Sequence, residues 1–98
     1  MHFEWDGAKN RRNIAKHRIR FETAQLVFDD PNALSIQDRD KEDEVRWQTL
    51  AMIGNVIVVL VAHTYRDENG EEVIRMISAR KATPQERRAY EKTLKSSR

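Results

Sequence analysis

Apolar residues follow two rhythms along this chain: a loose three-to-four spacing near the start, and a two-residue or filled spacing from Leu34 onwards. His2-Phe3-Glu4-Trp5 alternates, which predicts a short strand with Phe3 and Trp5 on one face. Asp6 is placed to cap a helix from about Gly7 to His17. That helix has little to bury beyond Ala8, Ile14 and Ala15. Lys9, Arg12, Asn13, Lys16 and His17 recur at three- and four-residue steps, so one side is polar and mostly cationic. A helix this polar stays folded only if part of it packs on something else. Ile19 to Phe28 predicts a second, shorter helix, with Phe21, Ala24 and Phe28 on one face and Leu26 and Val27 broadening it. Asp29-Asp30-Pro31-Asn32 ends it, because the residue before proline is pushed out of the helical region.

Leu34 to Gln37 then reads as an edge strand and Asp38 to Glu44 as a charged loop. Val45 to Ile53 alternates, with Val45, Trp47, Thr49, Ala51 and Ile53 on one side. Gly54-Asn55 is a two-residue hairpin signal. Val56 to His63 is almost continuously aliphatic, as in a central strand covered on both faces. Asp67-Glu68-Asn69-Gly70 supplies a second turn, and Glu72 to Arg80 the last strand. Thr83-Pro84-Gln85-Glu86 is a capping box with proline at the first helical position, opening a helix to about Lys95. The order β-α-α-β-β-β-β-α predicts an α+β fold. Its small antiparallel sheet of about four to five strands packs with two N-terminal helices and one C-terminal helix. The 98 residues are expected to form one domain.

Charge changes this picture more than composition does. The formal net charge is only +2. Yet residues 1–20 hold six Lys/Arg against two acids, residues 81–98 again six against two, and residues 29–44 seven acids against two bases. Two basic ends suggest a positive face for a polyanion, provided they meet in space. With no cysteine, disulfides and thiolate-bound zinc are excluded, and a cytoplasmic setting is the expectation. The first ten residues have no apolar region of a secretory leader. The apolar run from Val56 to Ala62 is too short to span a bilayer, so no membrane role is expected. A glycine-rich phosphate loop, metal-ligand histidine spacing and a nucleophile elbow are all missing, so neither metal nor cofactor is expected. What remains is a set of basic and hydrogen-bonding groups: Lys9, Lys16, His17, Arg46, His63, Arg75, Arg80, Arg87 and Tyr90.

Two stretches carry a resemblance. FEWDGAKNRRNIAKHRIRFETAQLVFDDP near the amino terminus resembles the start of BrnT-type toxins of bacterial type II toxin–antitoxin systems. RMISARKATPQERRAY resembles their closing motif, and Arg46 and the Gly54 turn fall where that family has similar residues. The chain departs at Gly7, where the family often has proline, at Arg18, a frequent glycine, and at Arg20, a frequent small capping residue. The resemblance implies a RelE-like fold and an RNA-cleaving toxin. It also implies a BrnA-like ribbon-helix-helix antitoxin in a 2:2 complex, with operator DNA reached only through that antitoxin.

Such cleavage without metal uses the 2′-hydroxyl as nucleophile on the adjacent phosphorus. It needs a group to take the 2′ proton, cations at the phosphoryl oxygens and an acid for the leaving 5′-oxygen. Arg80 is the first choice as phosphate clamp, its plain alternatives being a solvated strand end or a salt bridge to Glu86. Alternation places Arg75 on the opposite side of the strand from Arg80 unless a bulge intervenes. His63 is a possible acid or base, or else a satisfied sheet histidine. Lys9 and His17 are catalytic candidates from the first helix, and Lys16 beside them is a candidate for contact with RNA; His17 could equally cap the helix end. Arg46, Arg75, Arg87 and Tyr90 are candidates for contact with RNA. Tyr90 could instead pack on the sheet with Leu94.

Overall fold

A computed structural model describes residues 1–38 and 45–96. The chain runs β1 (His2–Glu4), α1 (Gly7–His17), α2 (Phe21–Ala24), a 3-10 turn (Gln25–Asp29), β2 (Leu34–Asp38), β3 (Arg46–Ile53), β4 (Ile57–Glu68), β5 (Glu71–Lys81) and α3 (Pro84–Ser96). The charged loop expected at Asp38–Glu44 lies outside the described residues, except for Asp38, which ends β2.

Local chemistry sets the ends of α1. Asp6 Oδ1 accepts from the Ala8 amide at 2.8 Å and the Lys9 amide at 3.4 Å, so two amides that the helix leaves unpaired find an acceptor. The helix closes at Arg18, which sits in the left-handed region at φ 62 and donates its N–H to Ile14 at 2.8 Å. Beyond it, Arg20 stands at the N-cap of α2 with no side-chain cap. The second helix is shorter than its periodicity predicts: after one turn the chain tightens into the 3-10 segment. Asp30 then turns the chain, accepting from the Asn32 and Met52 amides at 2.9 Å each.

The five described strands form one sheet in the order β1-β5-β4-β3-β2. Both hairpins turn through two consecutive residues at positive φ, Gly54 and Asn55, then Asn69 and Gly70, as tight two-residue turns require. β2 to β5 are antiparallel, but β1 joins the free side of β5 in parallel, so the sheet is mixed. Hairpin signals could not foresee that pairing, because α1, α2, the 3-10 turn and three strands separate β1 from its neighbour.

One face of the sheet is sealed by α1, α2 and the 3-10 turn. Phe21, Ala24 and Val27 are fully buried there against Ala51, Val61, Ile74 and Ala79. Burying a side chain the size of Phe21 or Ile74 contributes roughly 2 kcal/mol. Among the described residues, the other face is covered only at one end, where Tyr90 and Leu94 of α3 pack on Leu50, Val58 and Leu60. The polar α1 is held by two buried asparagines. Asn13 donates to the Ile19 and Ala79 carbonyls at 2.9 Å and accepts from the Ala79 amide at 3.0 Å, capping the edge of β5. Asn10 donates to Glu22 and accepts from the Phe21 amide, both at 2.9 Å.

Candidate nucleic-acid interface

Residues paired directly across antiparallel strands point to the same side of a sheet. Ala62 pairs with Ser78 but His63 with Met76, so Ile77 is an extra residue in β5. This bulge breaks the alternation that separates Arg75 from Arg80 in the sequence. Arg75 pairs with Thr64, Ser78 with Ala62 and Arg80 with Leu60, so all three belong to the face that α3 covers only in part. The expectation that the two arginines lie on opposite sides is therefore corrected, and for the one reason that could overturn it. Four residue steps along β4 separate their rungs, about 13 Å along the strand.

The register extends this face across the whole sheet. Asp38, Arg46, Thr64, Arg75 and Glu4 form a single row through β2, β3, β4, β5 and β1. Arg46 and Arg75 flank the small, buried Thr64, their Cα atoms about 10 Å apart at ordinary strand spacing. The next row holds Ile36, Gln48, Ala62 and Ser78. The result is a shelf with a floor of Ala62, Thr64 and Ser78, rimmed by Arg46, Gln48, Arg75 and Arg80. Arg46 Nε is buried without a hydrogen-bond partner among the described residues. Arg75 is exposed and makes no hydrogen bond or ion pair among them. Arg66, the neighbouring cation, is by contrast consumed by Glu4 at 2.7 and 2.9 Å and by Glu68 at 2.8 Å. Those bonds, with the charges of Arg66 and Arg75, hold the Glu4 carboxyl below its usual range.

Arg80 is half-engaged. Its guanidinium grips both oxygens of Glu86, at 2.8 and 3.0 Å, and reaches the Lys81 carbonyl at 3.3 Å. Glu86 also accepts from the Thr83 amide at 2.9 Å while Thr83 Oγ1 accepts from the Glu86 amide at 3.1 Å, completing the capping box. The Arg80 bond, reinforced by Thr83, holds the Glu86 carboxyl low. Arg80 thus caps a cap as well as facing the shelf, and its side chain stays 38% exposed. Three of its five N–H groups are used, which leaves two for a ligand.

Two expected site residues face elsewhere. His63 lies on the helix-sealed face and is fully buried. Its Nε2 meets Thr49 Oγ1 at 2.7 Å, and its ring packs edge-on to Phe28 and Tyr65, each at 4.9 Å. Burial pushes its pKa down to about 4. A role as acid or base for a ligand on the shelf is corrected to that of a neutral core histidine. Tyr90 is likewise core: it is 2% exposed and donates to Asp30. Burial and the Asp30 carboxylate push its hydroxyl up to about 12, so stacking on RNA is ruled out by position. Arg87 is exposed on the first turns of α3.

The remaining cations meet at the other side of β5. Since β1 pairs only with residues 73 to 75, the edge of β5 beyond them faces α1. There Lys9, Arg12, Lys16 and His17 surround a groove floored by Asn13, Ile77 and Ser78. Sequence reasoning placed Arg12 and Asn13 on the polar side of α1 but named neither as a site residue. Spacing alone could not show that Asn13 anchors the floor while Arg12 stands on the rim. Among the described residues, no group of three or more His, Cys, Asp or Glu could hold a metal ion, and no helix is long and apolar enough to cross a membrane.

A small α+β domain with one sheet face sealed by helices and the other carrying arginines around small polar residues has the features of a protein that handles anions. The chain belongs to the family of ribonuclease toxins, BrnT, of type II toxin–antitoxin systems, whose model matches residues 5–86. In fold it is similar to the ribonuclease toxin BrnT of Brucella abortus, known from a 1.1 Å crystal structure. The TM-score is 0.62 at 24% identity, over 85% of this chain and 97% of that one. Comparison with curated proteins gives no match. Membership in the family implies an antitoxin as partner.

Proposed function

We propose that this chain is itself a ribonuclease, one toxin domain over residues 1–98, that cuts RNA without metal through attack of the 2′-hydroxyl. The observation that carries this reading is the Ile77 bulge, which gathers Arg75, Ser78 and Arg80 on one open face with Arg46. Three guanidiniums around a floor of small residues leave room for a phosphate and supply fixed positive charge where it becomes more negative. As the 2′-oxygen bonds to phosphorus and the 5′-oxygen departs, Arg46 and Arg75 neutralise the non-bridging oxygens. Arg80 supports them with the N–H groups that Glu86 leaves over. The reacting phosphate sits towards Ser78, where the shelf meets the groove side of β5, so that His17 takes the 2′ proton and Lys9 supplies one to the departing 5′-oxygen. Lys16 holds backbone there, and Arg87 serves as a peripheral contact on α3.

In this reading the toxin acts in the cytoplasm and inhibits translation by removing RNA. A BrnA-like ribbon-helix-helix antitoxin neutralises it in a 2:2 complex, which alone touches operator DNA. Incubation of purified protein with RNA in EDTA is the test. Cleavage is expected from wild type, with a loss of a hundredfold or more in kcat/KM for Arg75→Ala and Arg46→Ala, in the range that one stabilising donor supplies. RNA that stays intact, yet is bound in a steeply salt-dependent way, would instead mark a binding module without catalysis.

A further inference from the structure

We infer that the substrate is a single strand whose backbone bends over the free edge of β5, from the α1 groove onto the shelf, so that Arg12 and Lys16 bind phosphates beside the one at the shelf. This rests on the reading of the shelf as an RNA site. Ser78 carries the connection: it lines the groove together with Lys9, Arg12, Lys16 and His17, and it is also the β5 member of the shelf row with Gln48 and Ala62. The two cationic regions therefore lie on opposite sides of one strand edge and touch at one residue. Beyond Arg75 that edge pairs with no further strand among the described residues, because β1 stops at Glu4. It is closed to a further β-strand at Ala79, where the Asn13 amide already takes both the backbone N–H and the carbonyl.

The path selects its ligand by stiffness. Passing from one face of a sheet to the other within a few nucleotides demands a sharp turn. A duplex resists bending over tens of base pairs, whereas a single strand turns at each nucleotide. The groove offers cations but no Phe, Tyr or Trp, so it holds phosphates above all and adds length-dependent affinity with little base preference.

Binding of 2′-O-methyl RNA, which cannot be cut, tests this on the intact protein. Wild type should bind a 12-mer much more tightly than a trinucleotide, and a 12-mer duplex should compete poorly with the single strand. In Arg12→Ala/Lys16→Ala, whose thermal melt should match wild type because both side chains are exposed, the ratio of 12-mer to trinucleotide affinity should fall about tenfold. The salt slope for the 12-mer should drop by about 0.7 for each lost contact. Arg12→Glu alone should lower the same ratio. An unchanged ratio and slope in both variants would overturn the bent track while leaving the shelf reading intact. A duplex that binds as well as the single strand would also overturn it. No binding of either length by wild type would overturn the shelf reading and the track together.

Discussion

Burial decides the chemistry at His63. The residue type suggested an acid or base, and the aliphatic run that precedes it could not say which face it would take. Sealed against Phe28, Tyr65 and Thr49, it is neutral in the fold with a pKa of about 4, against 6.5 for the free side chain. The unfolded chain therefore binds a proton there that the native chain refuses. Stability from this group is complete above pH 6.5 and is lost as pH falls towards 4. Urea unfolding should show about 2 to 3 kcal/mol less stability at pH 4.5 than at pH 7, with most of that difference removed in His63→Gln. The carboxylates with lowered values, Glu4, Asp6, Glu22, Asp30 and Glu86, stabilise above their unfolded range and lose that contribution only as pH falls through it, so the upper part of the window belongs to His63. A flat profile between pH 7 and 5 would contradict its burial as a neutral group. At Arg18 the departure from the family's glycine has a visible cost. An L-residue at φ 62 is strained by roughly 1 kcal/mol, part of which glycine returns through the greater freedom of its unfolded chain. Arg18→Gly should raise stability by about 0.5 kcal/mol, read as a higher urea midpoint at unchanged slope.

At the level of elements, β3, the two hairpin turns, the last strand and the α3 cap were legible because each has a local cause: alternation, paired positive-φ residues, a capping box. The first two helices were legible only in outline. α1 reads as cationic by spacing, yet what fixes it are Asn10 and Asn13, whose buried amides do the work expected of apolar anchors. An asparagine on a polar helix face gives no sign of a partner 66 residues away. Asn13→Ala should cost about 2 to 4 kcal/mol, because it strands the Ala79 amide and two carbonyls in the interior, while Arg11→Ala at the exposed surface should change stability by less than about 0.5 kcal/mol. Urea titration of both variants separates anchoring from propensity, since alanine is the better helix former at each position. α2 is weak for a complementary reason: Arg20 occupies its N-cap without capping it. Arg20→Ser should add about 1 kcal/mol through a hydroxyl able to accept from a first-turn amide.

Across the whole molecule, the cations were legible as charge counts, but which of them share a face was not. Strict alternation sends Arg75 and Arg80 to opposite faces, and only the extra residue at Ile77, with no signature in the sequence, brings them together. The parallel docking of β1 adds Glu4 to the end of the Arg46–Thr64–Arg75 row, so acids bound the shelf at the two outer strands. A third acid, Glu86, reaches the shelf from α3 and ties its C-terminal end to the helix cap. In the free protein this carboxylate cancels the charge of Arg80, so Arg80 contributes less to anion binding than its position allows. Glu86→Gln keeps an acceptor for the Thr83 amide, since glutamine serves a capping box as glutamate does. The lost ion pair is partly exposed and should cost no more than about 1 kcal/mol of stability. RNA affinity of this variant should rise several-fold, with a steeper dependence on salt as Arg80 becomes free to neutralise a phosphate. Weaker binding would show the opposite role: that Glu86 holds the guanidinium in the orientation the phosphate needs, and that the shelf depends on α3 for its shape as well as for its boundary.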